Sequence, residues 1–299
     1  MTGQIFGADA LKYVYSPWHD PLGSVRPGER FTVETSDCFT SLFHDPDAYD
    51  DETAAWVEEN LNPVTGPIVV DGAVAGGAVE VHIESIEITT PGSVVVSRCT
   101  ARSPADWWHE EDHVVSVPVV DGRLRLRADW SVPVRPLIGC LATAPARETI
   151  LSRREGDYGG NMDCNEITTG ATVLLPVETD GAYLYFGDCK AAMGDGEVVA
   201  APEVGTRIVA TATPVDRPVE MDSIRVWDDS RLQTVVSGVS LTDSSRMAFR
   251  SLKRWLEADY GLTSEECAVL LGIGGHCGVC QVSNAIYTAK CWVERSLLP

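Results

Sequence analysis

Short apolar runs cut by turn residues dominate the chain from Arg30 to about Pro145: RFTVETSDCF, GPIVVDGAVAGGAVEVHIESIEI, GSVVVSRCTA, HVVSVPVV and RLRLRADWSVPV. Alternation through AVEVHIESIEI places Val79, Val81, Ile83, Ser85 and Glu87 on one face and Glu80, His82, Glu84, Ile86 and Ile88 on the other. Many short strands separated by Gly and Pro turns predict a mainly β fold, a sandwich or a barrel. The acidic stretch HDPDAYDDETAAWVEENL interrupts them. Ala54, Ala55 and Val57 share a helical face there, and the early Asp and Glu residues suit a helix N-terminus, so a short helix carried on a loop is expected.

Strand signals continue through ATVLLPVE, AYLYFGD, GEVVAAPEVGTRIVATATPV and LQTVVSGVSL. At Asp243 the period changes: Met247, Leu252, Trp255 and Leu256 recur at helical spacing, with Gly261 as the C-cap. Thr263 and Glu266 have capping-box spacing ahead of CAVLLGI, which predicts a second helix. The chain therefore divides into a β-sandwich portion, 1–150, and a β-rich α+β portion, 151–299. No linker separates them, so they are expected to pack as one unit that completes a shared site.

Composition narrows the function. With 23 Lys and Arg against 44 Asp and Glu, the net charge of −21 repels nucleic acid and anionic membrane. No apolar run is long enough for a membrane helix and the N-terminus lacks a secretion signal, so a cytoplasmic location is expected. Nine cysteines in such a chain argue against a disulfide framework. His276, Cys277 and Cys280 in GGHCGVC make only half of a usual zinc site and read as packing thiols.

Two glycine-bounded acidic stretches draw attention. GDYGGNMDCNEITTGATVLLPV, residues 156–177, sets Asn161, Asp163, Asn165 and Glu166 just before a strand. GDCKAAMGDGEV, residues 187–198, places Asp188, Asp195 and Glu197 around Cys189 and Lys190. Two such turns at successive strand ends can face each other, and converging carboxylates must be neutralised by metal, proton or lysine. A third cluster, Glu34 and Asp37 in ETSDC, falls on opposite faces of an extended strand. The bland reading is that Asp and Asn beside Gly are ordinary turn residues.

These segments resemble the acetamidase/formamidase family. VRPGERFTVETSDCF, NPVTGPIVVDGAVAGGAVEVHIESIEI and RPLIGCLATAPA fall in the family's order, and the resemblance covers about residues 10–270. It implies a jelly-roll-like sandwich followed by α+β elements, and hydrolysis of the C–N bond of a small carboxamide, or of a lactam in related members. Carried over by position, it points to Asn161 and Asp163 in the first segment and Asp188, Asp195 and Glu197 in the second. One residue departs from the family pattern GDxHAxxGDGE: Lys190 stands where the histidine would be. A protonated lysine cannot ligate metal.

The expected chemistry is metal-assisted hydrolysis. Asp163, Asp188 and Asp195 hold a divalent ion, zinc in the first instance and calcium as the other choice, that activates a water and polarises the carbonyl. Glu197 serves as general base and then protonates the departing nitrogen, Lys190 stabilises the oxyanion, and Asn161 completes the set. A second route uses Cys164 or Cys189 as nucleophile, and a third reading is a non-catalytic ligand-binding descendant. His109 and His113 in HEEDH have metal-binding spacing but sit in a charged stretch read as a solvated loop. His19 could reach a pocket, and Trp18, Trp107 and Trp108 could line one. A homodimer follows from base rates for such enzymes.

Overall fold

The computed structural model describes residues 3–45, 47, 49–96 and 113–299. Within them the protein is mainly β, with several mixed sheets and helices toward the C-terminus. Two sheets organise it. One has nine strands in the spatial order Gln4–Phe6, Arg30–Thr35, Thr206–Val215, Ala78–Ile88, Thr172–Pro176, Ile224–Trp227, Arg231–Gly238, Tyr287–Glu294 and Gly275–Gln281. The other has six: Glu155–Gly156, Gly159–Asn161, Leu137–Ala142, Leu184–Lys190, Val64–Val70 and Gly23–Val25. Side chains of both meet in one core that includes Phe31, Val33, Val81 and Ile83 from the first sheet and Ile68, Leu141, Leu184 and Phe186 from the second. Each fully buried aliphatic or aromatic side chain contributes roughly 1.5–3 kcal/mol, so this core is the main stabilising term.

The sheets are not wholly antiparallel, as a jelly roll would be. Gln4–Phe6 runs parallel to Arg30–Thr35, and Gly23–Val25 runs parallel to Val64–Val70. Along Ala78–Ile88 the simple alternation also fails. Val209 pairs with Ser85 but Ala210 pairs with Ile83, so Glu84 is the extra residue of a β-bulge. Beyond it the faces exchange: Ile86 and Ile88 pack against the core, whereas Ser85 and Glu87 are exposed. The expectation that Ser85 and Glu87 share a face with Val79, Val81 and Ile83 is corrected by this single inserted residue.

Helix α1 spans Asp51–Glu59, N-capped by Asp50, whose side chain accepts from the Thr53 amide at 2.7 Å, and it buries Val57. Helix α2, Leu241–Tyr260, is capped by Ser240 and ends at Gly261 with φ 66°. Its face of Ala248, Leu252, Trp255 and Leu256 packs on Leu232, Val236, Cys291 and Val293 in a second core; Met247, counted in the same apolar set, points to solvent. Helix α3, Ser264–Gly274, carries both hydrogen bonds of the Thr263–Glu266 capping box. Among the described residues, no helix is long and apolar enough to cross a membrane.

Candidate active site

The strands of the smaller sheet bring the two acidic stretches together. Leu137–Ala142 lies between Gly159–Asn161 and Leu184–Lys190, with Cys140 opposite both Asn161 and Gly187, and Leu137 opposite Lys190. Gly139 sits at the junction. A Cβ there would come within 2.5 Å of the Asp188 carbonyl oxygen and 2.6 Å of carboxylate oxygens of Asp163 and Asp188, so only glycine lets both carboxylates lie against this strand. The paired glycines 159 and 160 adopt φ of 94° and 89°, turning the chain so that Asn161 and Asp163 enter the same space.

At the centre is the Lys190 ammonium. It donates to Asp163 Oδ1 and Asp188 Oδ2 at 2.6 Å each, and lies 3.5 Å from Glu197 Oε1 and 3.7 Å from Glu203 Oε1. All five side chains are buried. Asp163, Asp188 and Glu197 adopt left-handed φ values of 48°, 51° and 40°, conformations that non-glycine residues keep only where the surroundings impose them. The Asn161 amide belongs with its nitrogen toward Asp188 Oδ2 (2.6 Å) and Asp163 Oδ2 (3.2 Å), its oxygen accepting from Asn62 and Asn284 at 3.2 Å; the reverse orientation would set oxygen against carboxylate.

Four carboxyl groups facing one ammonium would, if all ionised, leave three uncompensated negative charges. Burial therefore raises the proton affinity of Asp163 and pushes Glu197 and Glu203 well above the usual carboxylate range, reinforced by Asp163 at Glu197 and by Asp188 at both. Burial works against the Lys190 charge, but Asp163 and Asp188 outweigh it and hold the ammonium well above its ordinary value. Nearby, burial and the Asp163 charge lift Glu155 to about 8. Two carboxylate oxygens, Asp188 Oδ1 and Glu203 Oε2, have no hydrogen-bond partner.

Asp188, Lys190, Glu197 and Glu203 form the floor of a cavity of about 420 Å³, with Asp163 behind Lys190 and outside the lining. Among the described residues its walls include Phe39, Phe43, Tyr49, Val57, Leu61 and Val95, and its polar lining adds Cys38, Asn62, Ser283 and Asn284. The Ser283 hydroxyl donates to Glu197 Oε2 at 2.8 Å. Cys38, Asp188 and Glu203 bring a sulfur and two carboxylate oxygens within 4.8 Å of one another, a buried group that could hold a metal.

Of the residues singled out in the sequence, Asn161, Asp163, Asp188, Lys190 and Glu197 converge here. Asp195 does not join them. It accepts from Lys290 Nζ at 2.7 Å and from Asn165 Nδ2 at 2.8 Å, in a second cluster where Lys290 also binds Glu166 at 2.9 Å. Neither sequence-derived cysteine lines the cavity. Cys189 faces the core and accepts from Thr206 Oγ1 at 3.2 Å, while burial pushes its thiol up to about 11; Cys164 accepts from Gln233 Nε2 at 3.1 Å. Glu34 is an ion-pair partner of Arg207, and Asp37 spends its carboxylate on the Phe39 and Ser41 amides and on His44. His19 contacts Tyr185 Oη at 3.0 Å and Trp18 is exposed, both away from the cavity lining. Cys277 is exposed and Cys280 buried, with His276 stacked on Trp292. His109, Trp107 and Trp108 lie outside the described residues. Cys38, Asn62, Glu203, Ser283 and Asn284 were missed: Cys38 and Asn62 stand beside acidic stretches whose charges turn elsewhere, the other three in stretches without a concentration of charge, and only the fold delivers them to the cavity.

Residues 133–215 match the family model described as the Acetamidase/Formamidase family. The fold is similar to that of a predicted acetamidase/formamidase from Thermoanaerobacter tengcongensis, with 28% identity and a TM-score of 0.90 over 99% of this chain and 97% of the other. An acetamidase from Bacillus halodurans gives 26% identity and a TM-score of 0.88, covering 97% of both chains. A gamma lactamase from Delftia acidovorans shares the fold at 16% identity and a TM-score of 0.60, over 96% of this chain and 89% of its own. No curated protein matches the chain in sequence. With the GGNMD and GDGE segments inside the matched stretch and the whole chain similar in fold to acetamidases, this protein matches the acetamidase/formamidase family of amidohydrolases.

Proposed function

We propose that the cavity hydrolyses the C–N bond of an uncharged carboxamide, open-chain or lactam, to a carboxylate and ammonia or an amine. The observation that carries this reading is the gathering of Asp163, Asp188, Glu197 and Glu203 around one buried ammonium at the floor of the cavity. Lys190, held as a cation, stabilises the negative charge that develops on the carbonyl oxygen. Glu197, whose burial beside Asp163 raises its proton affinity and which Ser283 orients, delivers a proton to the departing nitrogen, which cannot leave as an anion. The unpartnered oxygen of Asp188 accepts the proton of the attacking water. Asn161, with Asn62 and Asn284 behind it, holds Asp163 and Asp188 in place and offers amide dipoles to the substrate.

The Cys38, Asp188 and Glu203 donors fit a divalent cation, because two of their carboxylate oxygens otherwise have no partner, and a thiol beside carboxylates suits zinc better than the oxygen-seeking calcium. When bound there, such an ion would supply Lewis-acid polarisation of the carbonyl. Asp163 and Asp195 stand outside this donor set, the first on Lys190 and the second on Lys290.

The test is ammonia release by wild-type protein and by Glu197→Gln, on samples of measured metal content with and without chelator. The reading expects turnover in the wild type and a loss of about 10²–10⁴-fold in kcat for Glu197→Gln. Undiminished turnover in that variant would show that Glu197 is not the proton donor to the leaving nitrogen.

A further inference from the structure

Charged and polar groups make up only part of the cavity lining. The apolar lining residues Phe39, Phe43, Tyr49, Val57, Leu61 and Val95 pack as one cluster, its apolar end. The Phe39 and Phe43 rings lie 5.2 Å apart, and Phe43 and Tyr49 5.3 Å apart, both tilted in the manner of packed aromatic pairs. Val57 comes from the inward face of α1, which makes that helix part of the roof. The turn carrying Phe39 is braced by the Asp37 carboxylate, which accepts from the Phe39 amide at 2.8 Å and the Ser41 amide at 2.9 Å. The apolar end is therefore built before any ligand arrives.

We propose that this apolar end is an acyl pocket, and that the substrates of the protein are neutral carboxamides with a bulky branched or aromatic acyl group. This rests on the hydrolytic reading of the site and names its substrate class. Three observations favour it. A cavity of about 420 Å³ falls in the range of roughly 300–1,000 Å³ that takes drug-sized ligands, and a one- or two-carbon amide would leave most of it to water. Water gains little against aromatic and aliphatic walls, whereas a hydrocarbon acyl group removes both surfaces from solvent. Lastly, the sole cation among the described lining residues of this cavity is Lys190, already engaged by carboxylates, and Glu58 adds another negative group, so the lining disfavours an acyl group bearing a carboxylate.

The experiment measures kcat/KM, and calorimetric binding, for acetamide, butyramide, hexanamide, phenylacetamide and the anionic succinamate. The proposal expects a gain of about fourfold per added methylene, phenylacetamide at least equal to hexanamide, and succinamate far below butyramide. Equal values along the series, or acetamide the best, would overturn it. If no amide is turned over but affinity still climbs along the series, the acyl pocket stands and hydrolysis is what fails. Absence of both turnover and a gradient in affinity overturns the pocket as well. As a second arm, Val57→Trp fills the apolar end and is expected to lower the ratio of phenylacetamide to acetamide, in kcat/KM or in affinity, at least tenfold; an unchanged ratio would count against the proposal.

Discussion

Lys190 Nζ lies 2.6 Å from each of two aspartates that could not remain ionised together in a dry site without it. Lys190→Met leaves those carboxylates to take up protons or repel, and the expected cost is about 3–5 kcal/mol in unfolding free energy, read by denaturant titration. Gly139→Ala is expected to displace the same carboxylates, because its Cβ would meet them at 2.6 Å; a loss of about 1–3 kcal/mol and at least tenfold in kcat should appear in melting and turnover together. At this scale the sequence was informative where charge is dense. Asn161, Asp163, Asp188, Lys190 and Glu197 stand within two glycine-rich stretches, and the structure brings them into one space. Glu203 was illegible because it follows Pro202 in an apolar stretch, and Cys38 because nothing about a lone thiol after Asp37 distinguishes a cavity wall from a packed core.

Between elements, a second buried ammonium joins the two acidic turns. Lys290, on the strand Tyr287–Glu294, binds Glu166 just after Asp163 and Asp195 just before Glu197. The turn is further pinned where the Gly196 amide donates to the Cys280 carbonyl at 3.1 Å and the Val282 amide to the Gly196 carbonyl at 2.8 Å. Lys290→Met should therefore reduce kcat about tenfold or more while KM changes little, with partial recovery in Lys290→Arg; equal rises in KM would show that the clamp shapes binding instead. Helix ends were legible because caps are local: Asp50, Ser240, Gly261 and the Thr263–Glu266 box are short-range signals. The Glu84 bulge was not recognised from alternation, although the apolar series Val79, Val81, Ile83, Ile86, Ile88 skips a position where the extra residue sits. Parallel pairings such as Gln4–Phe6 with Arg30–Thr35 depend on distant chain and leave no local trace.

For the molecule as a whole, buried carboxyl groups tie stability to pH. The folded state raises Glu155 from 4.5 to about 8 and raises Glu197 and Glu203 in the same direction, so between those values the folded chain holds protons that the unfolded chain has released. Stability is then fully present below pH 4.5 as far as Glu155 is concerned, and falls as pH rises toward 8, by about 1.4 kcal/mol per pH unit at most. Denaturation at about pH 5.5 and about pH 8.5 should show the loss, and Glu155→Gln should flatten the slope. The net charge of −21 adds a general repulsion that moderate salt screens. That charge and the mainly β character were plain in the sequence; the order of the nine-stranded sheet, with strands from both ends of the chain interleaved, was not. The central claim is that amide hydrolysis occurs at the Lys190 carboxyl cluster. The most direct measurement is ammonia release from phenylacetamide by wild-type protein and by Lys190→Met showing the wild-type near-ultraviolet circular dichroism. The account predicts turnover in the wild type and a loss of at least about 10²-fold in the folded variant; equal turnover in both would contradict it.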